Sequence, residues 1–214
     1  MYRKLLVWLA LGCALTSACQ RTKVEPSTTS TTPPPAKAPA YTPGPQPTEA
    51  ELRDALKRTY EDVVLIDTAR PAPFAVGDFN GDNSEDVAVV VKPGKGKLPE
   101  LNSEYVNWIL EDPRQARSPD QKKHRARPSI SNDDVLLAVI HGHERDGWRN
   151  AMARQTYLLK NAVGEGFEKQ SRQQMSTGSK SLPALKGDVI REKLDGTSGI
   201  IFWTGARYAW HPVS

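Results

Sequence analysis

Cysteine occurs only twice in 214 residues, at Cys13 and Cys19, so no disulfide framework can hold the body of this chain together. Charge of one sign is also lacking. Of the 29 basic residues, Arg3 and Lys4 precede Cys19, which leaves 27 against 25 acidic ones, and a balance this close names no partner. The one long apolar run, residues 5–15, is too short to span a bilayer. No G-x-S-x-G elbow, H-E-x-x-H pair or G-x-x-x-x-G-K-[ST] loop is present, and VKPGKGK at 91–97 has the wrong spacing to cradle phosphate. These gaps exclude the commonest local signatures of hydrolases and nucleotide binders. They leave open a triad assembled from distant positions.

What is present starts with a processing signal: Arg3 and Lys4, then the apolar run, then small residues up to Cys19. Cys13 would leave only 5–12 as the apolar segment, whereas Cys19 leaves a full one. The stretch Leu15-Thr16-Ser17-Ala18-Cys19 resembles the lipobox of bacterial lipoproteins, with Thr16 where that family most often has Leu. The resemblance implies a signal peptide over 1–18, a diacylglyceryl thioether on Cys19 and a further acyl chain such as palmitate on its amine. Gln20 resembles the sorting pattern of the outer membrane, which implies a lipid-anchored protein of the cell envelope facing the periplasm. An ordinary secreted protein or an uncleaved anchor is the alternative.

Residues 21–47 are Thr, Ser, Pro and Ala, with eight of the 17 prolines and little to bury, so a disordered tether is expected over 19–47. Its reach runs from roughly 30 Å as a coil to about 90 Å as polyproline. A single domain is expected over 48–214. Thr48 and Glu51 form a capping box, and Leu52, Ala55, Leu56 and Tyr60 recur at helical spacing behind it. Short β-branched or aromatic runs at 74–76, 87–91, 135–140, 156–159, 189–194, 200–203 and 208–210 predict strands, and 101–110 a second helix. The expected class is α+β, a small mainly antiparallel sheet with one or two helices. The stretches 111–133 and 167–186 read as polar surface loops.

The richest chemistry lies in GDFNGDNSEDVAVVV from Gly77. Asp78, Asn80, Asp82 and Asp86 offer side-chain oxygens and Ser84 a backbone carbonyl, the hard-oxygen set that calcium takes. The spacing resembles the calcium loop of the FG-GAP and VCBS repeat families, D-x-[DN]-x-D-G-x-x-D before an apolar strand. Asn83 stands at that family's glycine, and Asn enters the left-handed region cheaply. The resemblance implies one structural calcium; Glu85 has no ligand role in it. The alternative is a metal-free turn whose Asp and Asn side chains bond their own backbone. Only one copy of the unit occurs, so a propeller of several blades is excluded and the ion would brace one hairpin.

Other groupings carry paired readings. His141 and His143 would supply half a zinc site if Glu144, Asp146 or His211 came near; otherwise they are loop residues. Residues 114–127 hold six Lys or Arg and no aromatic, so they suit an anionic envelope component or solvent, with no base-stacking platform for nucleic acid. Trp203, Tyr208 and Trp210 would form either a sugar-binding face or core. The leading expectation is a membrane-tethered extracytoplasmic lipoprotein, a non-catalytic binding or structural module with one calcium loop. The alternative is an envelope hydrolase of cell-wall or glycan material using Asp133, His141 and Asp146. Cys19→Ala should release or misprocess the protein; labelled palmitate entering that variant, or lost from Cys13→Ala alone, would place the lipid elsewhere.

Overall fold

The computed structural model describes residues 41–115, 127–176 and 182–213. The signal, Cys19 and the tether up to residue 40 lie outside the described residues, as does the basic run from 116 to 126. Helix α1 (Glu49–Tyr60) begins at the capping box: Thr48 Oγ1 accepts the Glu51 N–H at 3.2 Å, and the Glu51 carboxylate takes the Thr48 N–H at 2.7 Å. Its apolar stripe, Leu52, Ala55, Leu56 and Tyr60, is buried. Then follow β1 (Val64–Ile66), β2 (Phe74–Gly77), β3 (Asp86–Pro93), α2 (Leu98–Leu101), β4 (Ile109–Glu111), β5 (Leu136–Ile140) and β6 (Thr156–Leu159). The chain continues through β7 (Glu168–Gln170), α3 (Arg172–Ser176), β8 (Val189–Leu194), β9 (Thr197–Trp203) and β10 (Tyr208–Pro212).

The class is α+β, and every strand pair is antiparallel except β4 with β6. The strands divide into two sheets. One has the order β1-β3-β5-β6-β4 with β2 also on β3, and the other β10-β9-β8-β7. Strand β3 explains the layering. Its odd residues Val87, Val89 and Val91 pack with α1, while Ala88 and Val90 pack with Ile190, Ile201 and Trp203 of the second sheet. A strand buried on both faces must be apolar without alternation, as this run is. The far face of the second sheet carries a smaller cluster of Met175, Val189, Ile200 and Phe202.

Several expectations are corrected here. No helix covers 101–110, because α2 stops where the Asn102 amide turns back on the chain. Its Nδ2 donates to the carbonyls of Leu98 and Ile130, at 3.0 and 2.9 Å, and its Oδ1 accepts the Ile130 N–H at 2.7 Å. The backbone then bends through 104–108 before entering β4. The stretch 167–186, expected as loop, contains β7 and α3. The boundary expected at Thr48 also moves: residues 41–47 bond to the domain, and Pro47 is buried.

The Tyr60 hydroxyl, fully buried, lies 2.9 and 2.7 Å from the carbonyls of Val139 and Tyr157, fastening α1 across β5 and β6. Tyr60→Phe removes that donor without opening a large void, so a loss of about 1–2 kcal/mol is expected. The check is a lower denaturant midpoint with an unchanged slope.

Candidate functional site at the acidic loop

The loop between β2 and β3 is wound on its own carboxylates. Asp78 Oδ1 accepts the N–H groups of Gly81 and Asp82 at 2.7 and 3.0 Å, and its Oδ2 that of Asn83 at 3.0 Å. Asp86, at 0% exposure, accepts Phe79 and Asn80 N–H on Oδ2 and Gly142 N–H on Oδ1. Asp82 takes the Ser84 N–H at 2.8 Å and the Asn80 amide at 2.8 Å. Asn83 has φ 69°, the left-handed conformation that the loop requires at this position.

All five predicted ligand residues, Asp78, Asn80, Asp82, Ser84 and Asp86, therefore share one tight turn. Their carboxylates face backbone N–H groups. Among the described residues, no three His, Cys, Asp or Glu side chains stand grouped to hold a metal ion. Burial pushes the Asp86 carboxyl well above the ordinary aspartate value, with the charges of Asp82 and Asp78 adding to it against the N–H groups of Gly142 and Asn80. Burial raises Asp78 too, with Asp82 contributing, against the same kind of N–H donors.

Glu85 belongs to no ligand pattern, yet it is the most heavily bonded side chain here. Its Oε2 accepts the Tyr41 hydroxyl at 2.6 Å and the Gly44 N–H at 2.7 Å; its Oε1 accepts the Trp148 indole at 3.0 Å and Arg149 Nη1 at 2.8 Å. Burial acts to raise this carboxyl, but these donors outweigh it and hold Glu85 below the ordinary glutamate value. Arg149 stacks on Trp148, bonds Glu51 of α1 at 3.0 Å and reaches the Pro45 carbonyl at 2.8 Å.

Backbone contacts clamp the loop to the turn at 142–149. The Glu85 carbonyl accepts the Trp148 N–H at 2.7 Å, and Ser84 Oγ donates to the Glu144 carbonyl at 2.8 Å. Any Cβ at Gly142 or Gly147 would stand 2.3 or 2.5 Å from the Glu85 carbonyl oxygen, so glycine alone permits this approach. A cavity of about 310 Å³ lies between residues 41–45 and this turn, and one of about 350 Å³ opens beyond Asn83 and Arg145.

The histidine pair does not form a site. His141 is buried, its Nε2 2.8 Å from the Tyr208 hydroxyl, with the Tyr157 and Trp203 rings about 5 Å away. His143 is exposed beside Glu144. Asp133 and Asp146 are both exposed, so the residues named for hydrolysis do not converge with His141. Trp203 and Tyr208 are core, with Trp210 packed against them. At the ends of the basic run, Arg114 pairs with Asp195 at 2.5 Å and Arg127 donates to the Ser103 carbonyl. Sequence reasoning missed Glu85, Trp148, Arg149, Tyr41 and Gly44. The available signal was a glutamate placed directly before a run that must be buried on both faces.

Fold and site together define a two-sheet α+β domain whose acidic loop is locked to a glycine-rich turn and to the segment leading into its first helix. No protein-family model, curated protein or solved structure matches this chain.

Burial lowers the His141 pKa from 6.5 to about 4, against the Asp82 charge and the nearby Gln155. Between those values the unfolded chain binds a proton that the folded chain refuses, so stability falls as pH drops from 6.5 to about 4. The loss amounts to about 3 kcal/mol at about 1.4 kcal/mol per pKa unit. Unfolding free energies measured across that range should show a shallower slope for His141→Leu. Parallel curves for the two proteins would remove His141 as the cause.

Proposed function

We propose that this chain is a membrane-tethered protein of the bacterial envelope, anchored through Cys19, whose domain is a non-catalytic binding or structural module braced by one calcium ion at residues 78–86. The observation that carries the ion is the loop's winding, with Asn83 in the left-handed conformation at the sixth position and the acidic side chains gathered within nine residues. A carboxylate offers about four acceptor sites, and the N–H groups bonded to Asp78, Asp82 and Asp86 leave part of that capacity free. Asp78, Asn80, Asp82 and Asp86 would hold the ion with the Ser84 carbonyl. A divalent cation would relieve the repulsion and burial that raise Asp78 and Asp86.

The brace has a mechanical meaning, since the same loop is the contact between β3 and the turn at 142–149. Fixing it would hold that end of the sandwich, and the segment arriving from the tether, in one arrangement. An exposed extracytoplasmic site of this type has a dissociation constant of about 10⁻⁴–10⁻³ M. At about ten dissociation constants the linkage is worth about 1.4 kcal/mol. The melting midpoint should then rise by a few degrees in millimolar calcium over chelator, and Asp82→Asn, which keeps the loop's size but removes one charge, should abolish the rise. A wild-type midpoint indifferent to chelator would make the loop a turn closed by its own backbone and end the calcium reading.

A further inference from the structure

Residues 41–47 carry no strand or helix, and 42–46 are exposed, yet the segment is held by directed bonds. The Tyr41 hydroxyl and the Gly44 N–H converge on one oxygen of Glu85, and the Pro45 carbonyl meets the Arg149 guanidinium. A carboxylate paired with a guanidinium reads a non-helical backbone by its donor and its acceptor, and here the carboxylate also reads a phenol three residues earlier. Both groups are themselves fixed, Glu85 by the Trp148 indole and Arg149 by Glu51 and by stacking on Trp148. The segment does not fill the groove. The cavity of about 310 Å³ beside it is bordered by Arg145 and Asp146, whose side chains make no ion pair among the described residues.

We infer that the Glu85–Arg149 groove is a peptide-binding site, occupied in this structure by the chain's own residues 41–47, and that it accepts in trans a segment without helix or strand that has tyrosine three residues before a glycine. The bound segment is a strap: it competes for the groove at the effective concentration of a short link, in the millimolar range. Before the buried Pro47 its bonds are few and polar, so residues 41–46 open without unfolding of the core. The inference does not depend on an ion in the loop, because Glu85 and Arg149 lie outside the set that would hold one.

The test uses the full chain and a synthetic heptapeptide, Tyr-Thr-Pro-Gly-Pro-Gln-Pro, matching residues 41–47. Tyr41→Phe combined with Gly44→Pro removes both of the strap's donors, sets a Cβ about 3.1 Å from Glu85 Oε1 so that the strap is pushed out, and leaves the groove's own residues unchanged. The peptide should bind this double variant at least about tenfold more tightly than it binds the wild type, shifting the Trp148 indole proton resonance, because the wild-type strap competes. Adding Glu85→Gln should weaken that binding about tenfold or more, as expected for a lost charge-assisted contact. In the wild type alone, the Gly44 amide should exchange with solvent far faster than the core amide of Val89. Three results would overturn the inference: no binding to the double variant, binding unchanged by Glu85→Gln or by the wild-type strap, or a Gly44 amide that exchanges only with global unfolding. The exchange measurement can overturn the inference even if the double variant does not fold.

Discussion

The burial of β3 on both faces is the constraint from which the rest follows. Because side chains alternate along a strand, Val87, Val89 and Val91 must meet a helix while Ala88 and Val90 must meet a second sheet, and neither layer is optional. The same alternation continues past the apolar run. Glu85 points to the helix side, where Trp148 and Arg149 wait, and Asp86 points to the other side, where it takes the Phe79 and Asn80 N–H groups. Two adjacent carboxylates thus enter two different layers at the end of one strand.

Burying a carboxylate costs several kcal/mol unless its lone pairs are met, and the two neighbours solve this differently. Glu85 has a guanidinium, an indole, a phenol and one amide, so its charged form is favoured over the neutral one. Asp86 has only neutral amides, and two further carboxylates stand in the same turn, so its charged form is disfavoured. The first arrangement is self-sufficient. The second is under electrostatic tension that either a proton or a cation can discharge, which is why the ion is proposed at Asp86's turn and the peptide groove at Glu85.

How much of this was legible follows from how local each feature is. The capping box of Thr48 and Glu51 and the stripe on α1 are contained within a dozen residues, and both stand where the spacing puts them. The long strands declare themselves by β-branched runs for the same reason. Strands β1, β4 and β7 do not, because each has three residues and owes its existence to a partner's free edge. Ile109 of β4 is 48% exposed, so no burial pattern marks it. The helix expected over 101–110 failed on a distant residue, Ile130, whose backbone captures the Asn102 amide.

The strap shows the sharper limit of composition. Residues 21–47 look uniform when counted, since proline, threonine and alanine run throughout. Yet Tyr41 is the one aromatic residue among them and Gly44 the one glycine. Those are the two residues whose donors reach Glu85. A tether needs neither a phenol nor a glycine, and both have a use only opposite an acceptor. That acceptor is supplied 41 to 44 residues later by a glutamate that the loop's own oxygen pattern leaves unused. Residues that are odd in each of two segments therefore account for each other, and that correspondence could be seen only once the fold had brought the segments together.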